Sequence, residues 1–178
     1  ARTRAMTTLP SGPIGISFPK AGRTWVRSVL NKARAPLTFT HAGNGSQGFS
    51  GDGGPATSAS LSSPGALAYV SDGSLLIADA SRIRRVDPSG IISTFAGTGA
   101  TGLSGDGGQA TNATLSSSGG LAVDRQGNTY FTGDQRVRRI DKNGVITTIA
   151  GTGQADFSGD GGPALNASMN APIGIAVA

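Results

Sequence analysis

The pentapeptide Ser50-Gly51-Asp52-Gly53-Gly54 recurs at residues 104–108 and again at residues 158–162, with the same spacing both times. A second string keeps the same period: Ala42-Gly43-Asn44-Gly45, then residues 96–99 and residues 150–153. Self-similarity at a fixed long period is the signature of a repeat architecture, in which each unit buries its apolar face against the next. The sequence therefore predicts a repeat protein.

Four short strand-like runs lie between successive copies of the pentapeptide. They are residues 66–70, 74–78, 81–86 and 91–95 in one copy, and residues 120–124, 129–132, 136–141 and 145–149 in the next. The turns between them carry Gly, Asn or Pro-Ser-Gly, which suit tight turns. Four strands in close succession make a meander that cannot bury both faces alone, and stacking such sheets around an axis gives a β-propeller. No segment shows the helical periodicity that a helical solenoid requires.

Composition agrees with an all-β chain and excludes several kinds of catalytic site. All 10 acidic residues are Asp, and 29 of the 178 residues are Gly, a composition that favours turns and strands over long helices. The lack of Cys excludes disulfides, thiolate metal sites and a Cys nucleophile. His41 is the single histidine, which excludes a multi-histidine metal centre. No run approaches the roughly 20 apolar residues of a membrane helix.

The net charge of +5 belongs to one end of the chain. Residues 1–51 carry seven bases and no acid, whereas residues 52–178 carry eight bases against ten acids. The basic run 23–34 contains Trp25 but no nucleic-acid reading motif, so we do not expect a nucleic-acid partner.

Three strings resemble blades of NHL-repeat proteins: residues 82–90, residues 91–99 and Gly-Leu-Ala-Val-Asp at residues 120–124. The Gly-Asp-Gly-Gly-Pro-Ala-Thr stretch at residues 51–57 is similar to a long inter-blade connection of large bacterial NHL proteins. The resemblance covers residues 42–178. It implies a propeller, often six-bladed, that binds protein, glycan or nucleic acid, while a minority of related propellers are metal-dependent lactonases or lyases.

We predict three four-stranded NHL-type blades and one extra strand. The blades span about residues 13–43, 64–97 and 118–151, the extra strand residues 172–177, and the Gly/Asp-rich connections residues 44–63, 98–117 and 152–171. The first blade is degenerate: Pro13-Ile14-Gly15-Ile16 matches residues 172–175, Trp25-Val26 stands where Tyr130-Phe131 stands, and a three-residue deletion follows Ser28. Three blades are too few to close a ring. The chain is therefore expected to be a processed piece of a longer propeller, or two copies combine into six blades.

Residues 16–27 support a second interpretation, because they resemble the phosphosulfate-binding strand–loop–helix of sulfotransferases. The resemblance implies that Lys20, Gly22, Arg23 and Thr24 bind the phosphate of 3′-phosphoadenosine 5′-phosphosulfate, and that His41 is the base. Loop amides with a Lys suit phosphate. However, Ala21 stands where that family usually has Ser, and no later segment supplies the rest of the α/β sheet. A sulfotransferase-related enzyme or fusion stays the alternative.

Asp52, Asp106 and Asp160 are the first candidates for a ligand-binding site, because they recur once per connection. They could form a ligand or cation site assembled by symmetry. The pattern favours a structural role, in which each Asp accepts hydrogen bonds from the backbone of its own turn. These connections lack the alternating oxygen donors of a calcium loop.

Arg84-Arg85 and Arg138-Arg139 are the second set of candidates and recur with the same period. Since successive strand residues face opposite ways, one Arg of each pair is expected between blades and the other on an exposed face. Repeated guanidinium groups, with Arg84 and Arg138 as candidates, could hold an anionic partner. The pattern favours ion pairs with Asp87 and Asp141, which are nearby in sequence.

The sequence as a whole predicts a non-catalytic binding or assembly module for protein or glycan partners, with no cofactor. Self-association or continuation into a longer propeller is expected, and Gly/Ser/Thr/Asn-rich loops favour an extracellular or periplasmic location. The alternatives are the phosphosulfate-dependent enzyme and a metal-dependent hydrolase or lyase. The second alternative is disfavoured because a catalytic constellation of inward acids or histidines is not apparent.

Overall fold

The computed structural model describes residues 26–32, 35–116 and 119–178. In this part of the chain every element other than three short 3-10 turns is a β-strand. The strands are β1 (Val26–Lys32), β2 (Ala35–Ala42), β3 (Pro64–Tyr69), β4 (Leu75–Asp79), β5 (Arg82–Val86), β6 (Ile92–Ala96), β7 (Leu121–Val123), β8 (Thr129–Gly133), β9 (Arg136–Ile140) and β10 (Ile146–Ala150).

The strands form three antiparallel sheets in which neighbours in sequence are neighbours in space. The first sheet is the β1–β2 hairpin, the second has the order β3-β4-β5-β6, and the third has the order β7-β8-β9-β10. The strand limits of the second and third sheets agree closely with the predicted runs. The prediction of an all-β fold built from four-stranded blades is confirmed.

Aspartate turns set the register between the third and fourth strands of each full sheet. The Asp87 carboxylate accepts hydrogen bonds from the amides of Ser89 (2.8 Å) and Ile91 (2.9 Å). Gly90 lies within this turn at φ +83°, a conformation that side-chain-bearing residues rarely adopt. Asp141 makes the same two contacts in the third sheet. The Asp-x-x-Gly string thus ends one strand and starts the next.

Each Gly/Asp-rich connection packs against the sheets beside it, and the three are called here the first loop (residues 44–63), the second loop (98–116) and the third loop (152–171). Buried loop residues fill the space between sheets: Ala56, Ala59 and Leu61 between the first and second, and Ala110, Ala113 and Leu115 between the second and third. The sheets meet these residues with buried side chains such as Ile77 and Ile92 on one side and Phe131 and Ile140 on the other. The first two loops are therefore part of the core.

The first hairpin corrects the predicted register of the first blade. Val26 pairs with Ala42, as Ile83 of β5 pairs with Ala96 of β6, although the first pair is further apart in sequence. Val26 therefore belongs to the equivalent of a third strand, and not to the second strand that its match to Phe131 predicts. The difference in length is an extension of the hairpin rather than a deletion, because β1 and β2 are longer than their counterparts. The start of this blade at Pro13 lies outside the described residues.

Residues 172–177, predicted as the first strand of another blade, are not a strand in the structure. They lie against the start of β7: a Cβ on Gly119 would be 2.9 Å from the carbonyl oxygen of Pro172. The first strand of the second sheet, β3, is hydrogen-bonded to the second strand, β4. Residues 172–177 have no second strand to pair with among the described residues, so they lie beside β7 without the hydrogen bonds of a strand.

Candidate functional site

Asp52 of the first loop and Arg84 of β5 form an ion pair across the junction between the loop and the second sheet. Arg84 Nη2 donates to Asp52 Oδ1 at 2.5 Å and to the carbonyl of Ser50 at 3.1 Å. The other carboxylate oxygen accepts from the amide and hydroxyl of Thr94, at 3.1 and 2.6 Å. The Arg84 side chain is fully buried, whereas that of Asp52 is 38 % exposed.

Asp106 and Arg138 repeat this arrangement between the second loop and the third sheet. Arg138 Nη2 and Nε donate to Asp106 Oδ1 at 2.5 and 3.1 Å. Two loop carbonyls, those of Ser104 and Thr114, accept further guanidinium hydrogen bonds at 3.0 and 3.1 Å. Asp106 Oδ2 accepts from the amide of Thr148 at 2.9 Å. The candidate Asp and Arg residues are thus brought together as pairs with the same separation in sequence.

The loop also pairs with the outer edge of the sheet that follows it. The amide of Gly53 donates to the carbonyl of Ile92 at 2.8 Å, and the amide of Ile92 donates to the carbonyl of Gly54 at 3.0 Å. The second loop makes the same two bonds through Gly107 and Gly108. Each of these loops therefore acts as an additional edge strand, held in place by an ion pair whose arginine is buried.

The structure exchanges the roles that the sequence predicts for the two sets of aspartates. Asp87, predicted to pair with Arg84-Arg85, accepts hydrogen bonds from its own turn instead. Asp52, predicted to accept hydrogen bonds within its own turn, accepts them from the next sheet. The reason is geometric. The guanidinium group of Arg84 extends from β5 to the first loop, where it meets Asp52, and not to the turn after β5, where Asp87 lies. The predicted split of the Arg pair holds in the second sheet: Arg84 is buried, and half-exposed Arg85 pairs with Asp72 at 2.6 Å.

The electrostatics of the junctions favour ionised carboxylates. Partial burial acts to raise the pKa of Asp52, but hydrogen bonds from Thr94 and the charge of Arg84 outweigh it and hold the pKa below its ordinary value. The pKa of Asp106 is lowered in the same way by Thr148 and Arg138. Both carboxylates therefore stay charged against their arginines well into the acid range.

Asp79 is a buried carboxylate that sequence reasoning did not select. Its Oδ1 accepts hydrogen bonds from the amides of Ser62 (2.8 Å) and Ser63 (2.7 Å), where the first loop enters β3. Burial raises its pKa despite these bonds. The third sheet has Gly133 at the equivalent position of the repeat. That difference between repeats is the sequence signal that could have singled it out.

Asp160 stands apart from its two counterparts. It is exposed on the third loop, and no hydrogen bond or ion pair of its carboxylate exists within residues 26–32, 35–116 and 119–178. The third loop thus presents its aspartate without a partner arginine among the described residues.

The sulfotransferase-like residues cannot be placed on this scaffold, because Lys20, Gly22, Arg23 and Thr24 lie outside the described residues. His41 lies in β2, and partial burial lowers its pKa. Among the described residues, no cluster of three or more His, Cys, Asp or Glu side chains could hold a metal ion. The same part of the chain contains no helix long and apolar enough to cross a membrane.

Comparison with known proteins identifies the repeat. A sequence profile described as the Teneurin NHL domain matches residues 40–104 and, in a second overlapping match, residues 98–158. The chain belongs to the teneurin NHL-domain family. The match confirms the NHL-repeat resemblance. In this teneurin NHL segment, the matched region begins within β2 and ends within the third loop.

Teneurin relatives match the chain over most of its length. Teneurin-3 of Danio rerio is 29 % identical over 185 residues, which cover 70 % of this chain and 7 % of that protein. Human Teneurin-1 is 30 % identical over 177 residues, which cover 66 % of this chain and 6 % of that protein. The chain therefore spans less than a tenth of the length of these teneurins.

A solved structure shows the same fold as this teneurin NHL segment. A protein of unknown function from Bacteroides thetaiotaomicron aligns with a TM-score of 0.60 and 22 % identity, covering 83 % of this chain and 36 % of that chain. The likeness concerns the fold, in which this chain corresponds to about a third of the larger structure.

Proposed function

We propose that this NHL-repeat segment is a non-catalytic binding or assembly module for protein or glycan partners, with an extracellular or periplasmic location. The observation that carries the proposal is the pairing of Asp52 with Arg84 and of Asp106 with Arg138. Four of the five recurring charged candidates thus pair with one another between a loop and the sheet that follows it. Such residues hold a scaffold together, and recognition then falls to exposed loops and strand ends.

The exposed surface of the second sheet offers a place for such contacts. Tyr69 at the end of β3 is 48 % exposed. A tyrosine that presents both an apolar ring and a hydroxyl is well suited to protein and sugar surfaces. In this proposal the ligand-binding role passes from the Asp and Arg candidates to residues that the scaffold leaves free. Asp160 is the candidate of that set whose carboxylate has no hydrogen bond or ion pair among the described residues.

The first test measures binding on arrays of immobilised glycans and of proteins, with the same preparation on both. Tyr69→Ala is the test variant, and Arg125→Ala, an exposed change in the turn between β7 and β8, is its control. We expect saturable binding that Tyr69→Ala weakens and Arg125→Ala does not. Absence of binding on both arrays would contradict the proposal.

Calorimetry with adenosine 3′,5′-bisphosphate tests the non-catalytic part of the proposal. We expect no heat of binding, because the described strands form antiparallel NHL-type sheets rather than the α/β sheet that carries a phosphosulfate-binding loop. Micromolar binding that is lost in Lys20→Ala would overturn the proposal in favour of the phosphosulfate-dependent alternative.

A further inference from the structure

Each of the three loops contains one Asn-X-Ser/Thr tripeptide in which X is not proline. The tripeptides begin at Asn44 in the first loop, at Asn112 in the second and at Asn166 in the third. This pattern is the acceptor sequence for N-linked oligosaccharides in secreted proteins, where it lies on surface loops. An acceptor asparagine must be able to carry a bulky sugar after folding, and this requirement distinguishes Asn44 from Asn112.

Asn44 is held by its own loop. Its Nδ2 donates hydrogen bonds to the carbonyl of Ser58 at 3.1 Å and to Ser60 Oγ at 3.3 Å, and its Oδ1 accepts from the amide of Ser46 at 2.8 Å. A sugar bonded to Nδ2 replaces one of its two hydrogens, so one of the two bonds that Nδ2 donates is lost. The side chain of Asn44 therefore serves the folding of the first loop.

Asn112 is exposed at the end of a short 3-10 turn, Ala110–Asn112, which is held from two sides. The amide of Ala110 donates to the carbonyl of Gly144 in the third sheet at 2.8 Å, and the carbonyl of Ala110 accepts from the amide of Gly97 after β6 at 2.9 Å. The Asn112 side chain makes no hydrogen bond or ion pair with another residue of the described ranges. The turn is thus fixed, while the carboxamide of Asn112 is left for other chemistry.

The other two residues of the tripeptide hold the chain that follows Asn112. Ala113 is fully buried, and the Thr114 hydroxyl accepts a hydrogen bond from the amide of Ser104 at 2.8 Å. The first loop has Ser58 at the position of Asn112, and Ser58 is also exposed. This position of the repeat therefore does not need an asparagine for folding, and a sugar on Asn112 displaces no packed side chain.

We propose that Asn112 is an acceptor site for an N-linked oligosaccharide. In the transfer, Asn112 Nδ2 bonds to the anomeric carbon of a sugar carried on a lipid diphosphate. The bond between that carbon and the diphosphate oxygen breaks, Nδ2 releases one proton, and the lipid diphosphate leaves. Because the Thr114 hydroxyl contacts Ser104 after folding, the transfer precedes the folding of the second loop. The inference rests on the extracellular location in the proposed function, since this acceptor sequence is used in secreted chains.

A sugar on Asn112 also restricts where a protein partner can bind. Residues 104–109 of the second loop are exposed, and the amide of Asn112 donates to the carbonyl of Gln109 at 2.9 Å. The sugar therefore stands at the end of this exposed stretch, and its bulk and polarity keep protein partners away from that part of the loop.

Expression of the chain behind a secretion signal in cultured animal cells tests the inference. Cells and medium are analysed together, so that a chain retained inside the cell is also scored. We expect peptide N-glycosidase to lower the mass of the chain and to leave aspartate in place of Asn112, which mass spectrometry of the peptide detects. Asn112→Gln should lose the part of the mass shift that belongs to this site.

Three further variants separate the acceptor sequence from effects on folding. Thr114→Ser keeps the acceptor sequence and should keep the sugar, whereas Thr114→Ala removes the acceptor sequence and should lose it. Ser58→Asn creates the same tripeptide at the equivalent exposed position of the first loop and should add a sugar there. A gain of mass at a chosen position cannot result from a loss of folding.

An Asn112 peptide that stays unmodified, in cells that modify a coexpressed glycoprotein, would overturn the inference. Retention of the modification in Thr114→Ala would also overturn it, because the acceptor sequence would then not be its cause. The glycan and protein arrays can be run on chain that carries no sugar, so failure there is distinguishable from failure of this inference.

Discussion

The two closed junctions hold the same buried arginine in different ways. Arg138 uses Nε, Nη1 and Nη2 for hydrogen bonds to Asp106 and to two loop carbonyls. Arg84 bonds through Nη2, and its Nε and Nη1 are buried without a hydrogen-bond partner. The Phe49 ring instead stacks on Arg84 at 4.6 Å and on Arg82 at 3.8 Å. The second loop has Leu103 at the position of Phe49.

The difference shows that the repeated ion pair is the fixed part of the junction and that its surroundings vary. A guanidinium buried without its hydrogen bonds costs stability, and an aromatic ring or a nearby carboxylate offsets part of that cost. The first junction has both, because the first loop supplies Phe49 and Asp79 of the second sheet acts on Arg84 through its charge. The second junction, with Leu103 and Gly133 at those positions, relies on hydrogen bonds to Arg138. The two junctions should therefore respond differently to the same substitution.

Replacing the buried arginines with methionine should give the largest effect. Arg138→Met should lower the free energy of unfolding by about 3 kcal/mol, and Arg84→Met by about 1 kcal/mol, because Arg138 gives up more hydrogen bonds. Urea denaturation followed by circular dichroism measures both. Arg85→Ala removes a half-exposed ion pair and serves as the control, with an expected loss below about 0.5 kcal/mol. Equal losses at Arg84 and Arg138 would contradict the comparison.

Neutralising the junction carboxylates should come next, with a loss of about 1–2 kcal/mol for Asp106→Asn or Asp52→Asn at neutral pH. The folded pKa of each lies below the ordinary value of 3.8, so each binds fewer protons in the folded protein. The stability they contribute is present above pH 3.8 and is lost as the pH falls through the lowered folded pKa.

Urea titrations from neutral pH down to about pH 3 measure this loss. The wild type should lose stability on acidification, and each Asn variant should lose less. Asp160→Asn is the matched control, because the aspartate at the same loop position has no partner among the described residues. An acid response unchanged in both junction variants would rule out the ion pairs as its source.

Asp79→Asn should have a smaller effect of opposite sign. The folded pKa of Asp79 is raised, so the folded protein binds more protons, and its stability falls as the pH rises from 3.8 through that raised pKa. The Asn oxygen can still accept both serine amides, so we expect a gain below about 1 kcal/mol at neutral pH. A loss measured by urea denaturation would mean that the charge of Asp79 is needed by Arg84.

Phe49→Leu should have the smallest effect. It gives the first junction the leucine that the second junction has at the same position, Leu103, and removes only the contacts of the ring. Loss of the stacking on Arg82 and Arg84 should cost about 0.5–1 kcal/mol. Thermal unfolding measures it, and Leu103→Phe, the reciprocal change, should leave the midpoint nearly unchanged because Arg138 already has its hydrogen bonds. A larger loss than that of Arg84→Met would show that Phe49 acts in more than this contact.

The repeat and its strands were predictable from sequence because both follow from local chemistry. Glycine and Asp-x-x-Gly turns fix where each strand ends, and the constant period places every copy once one is understood. The hairpin register was not predictable, since β1 and β2 extend beyond their counterparts and the match to Phe131 is equally good by residue type. The missing strand at residues 172–177 depends on a pairing partner rather than on its own sequence.

The junction pairs were the harder part of the candidate site. Asp52 and Arg84 are both visible as recurring residues, but their pairing depends on how a loop folds over the next sheet. Sequence proximity favoured Asp87 instead. The constant separation between the paired Asp and Arg in both copies is a signal that contact prediction could use.

The ion pairs also define which segment of the chain forms one repeating unit. Asp52 and Arg84 belong to different sides of the boundary between a loop and its sheet, so recombination at that boundary would separate a carboxylate from its arginine. A crossover between the end of β6 and Ser104 leaves both ion pairs intact. The repeating unit that keeps each ion pair intact therefore begins in a loop and ends in the last strand of the following sheet. Its limits differ from those of a four-stranded blade, which begins at the first strand of the sheet.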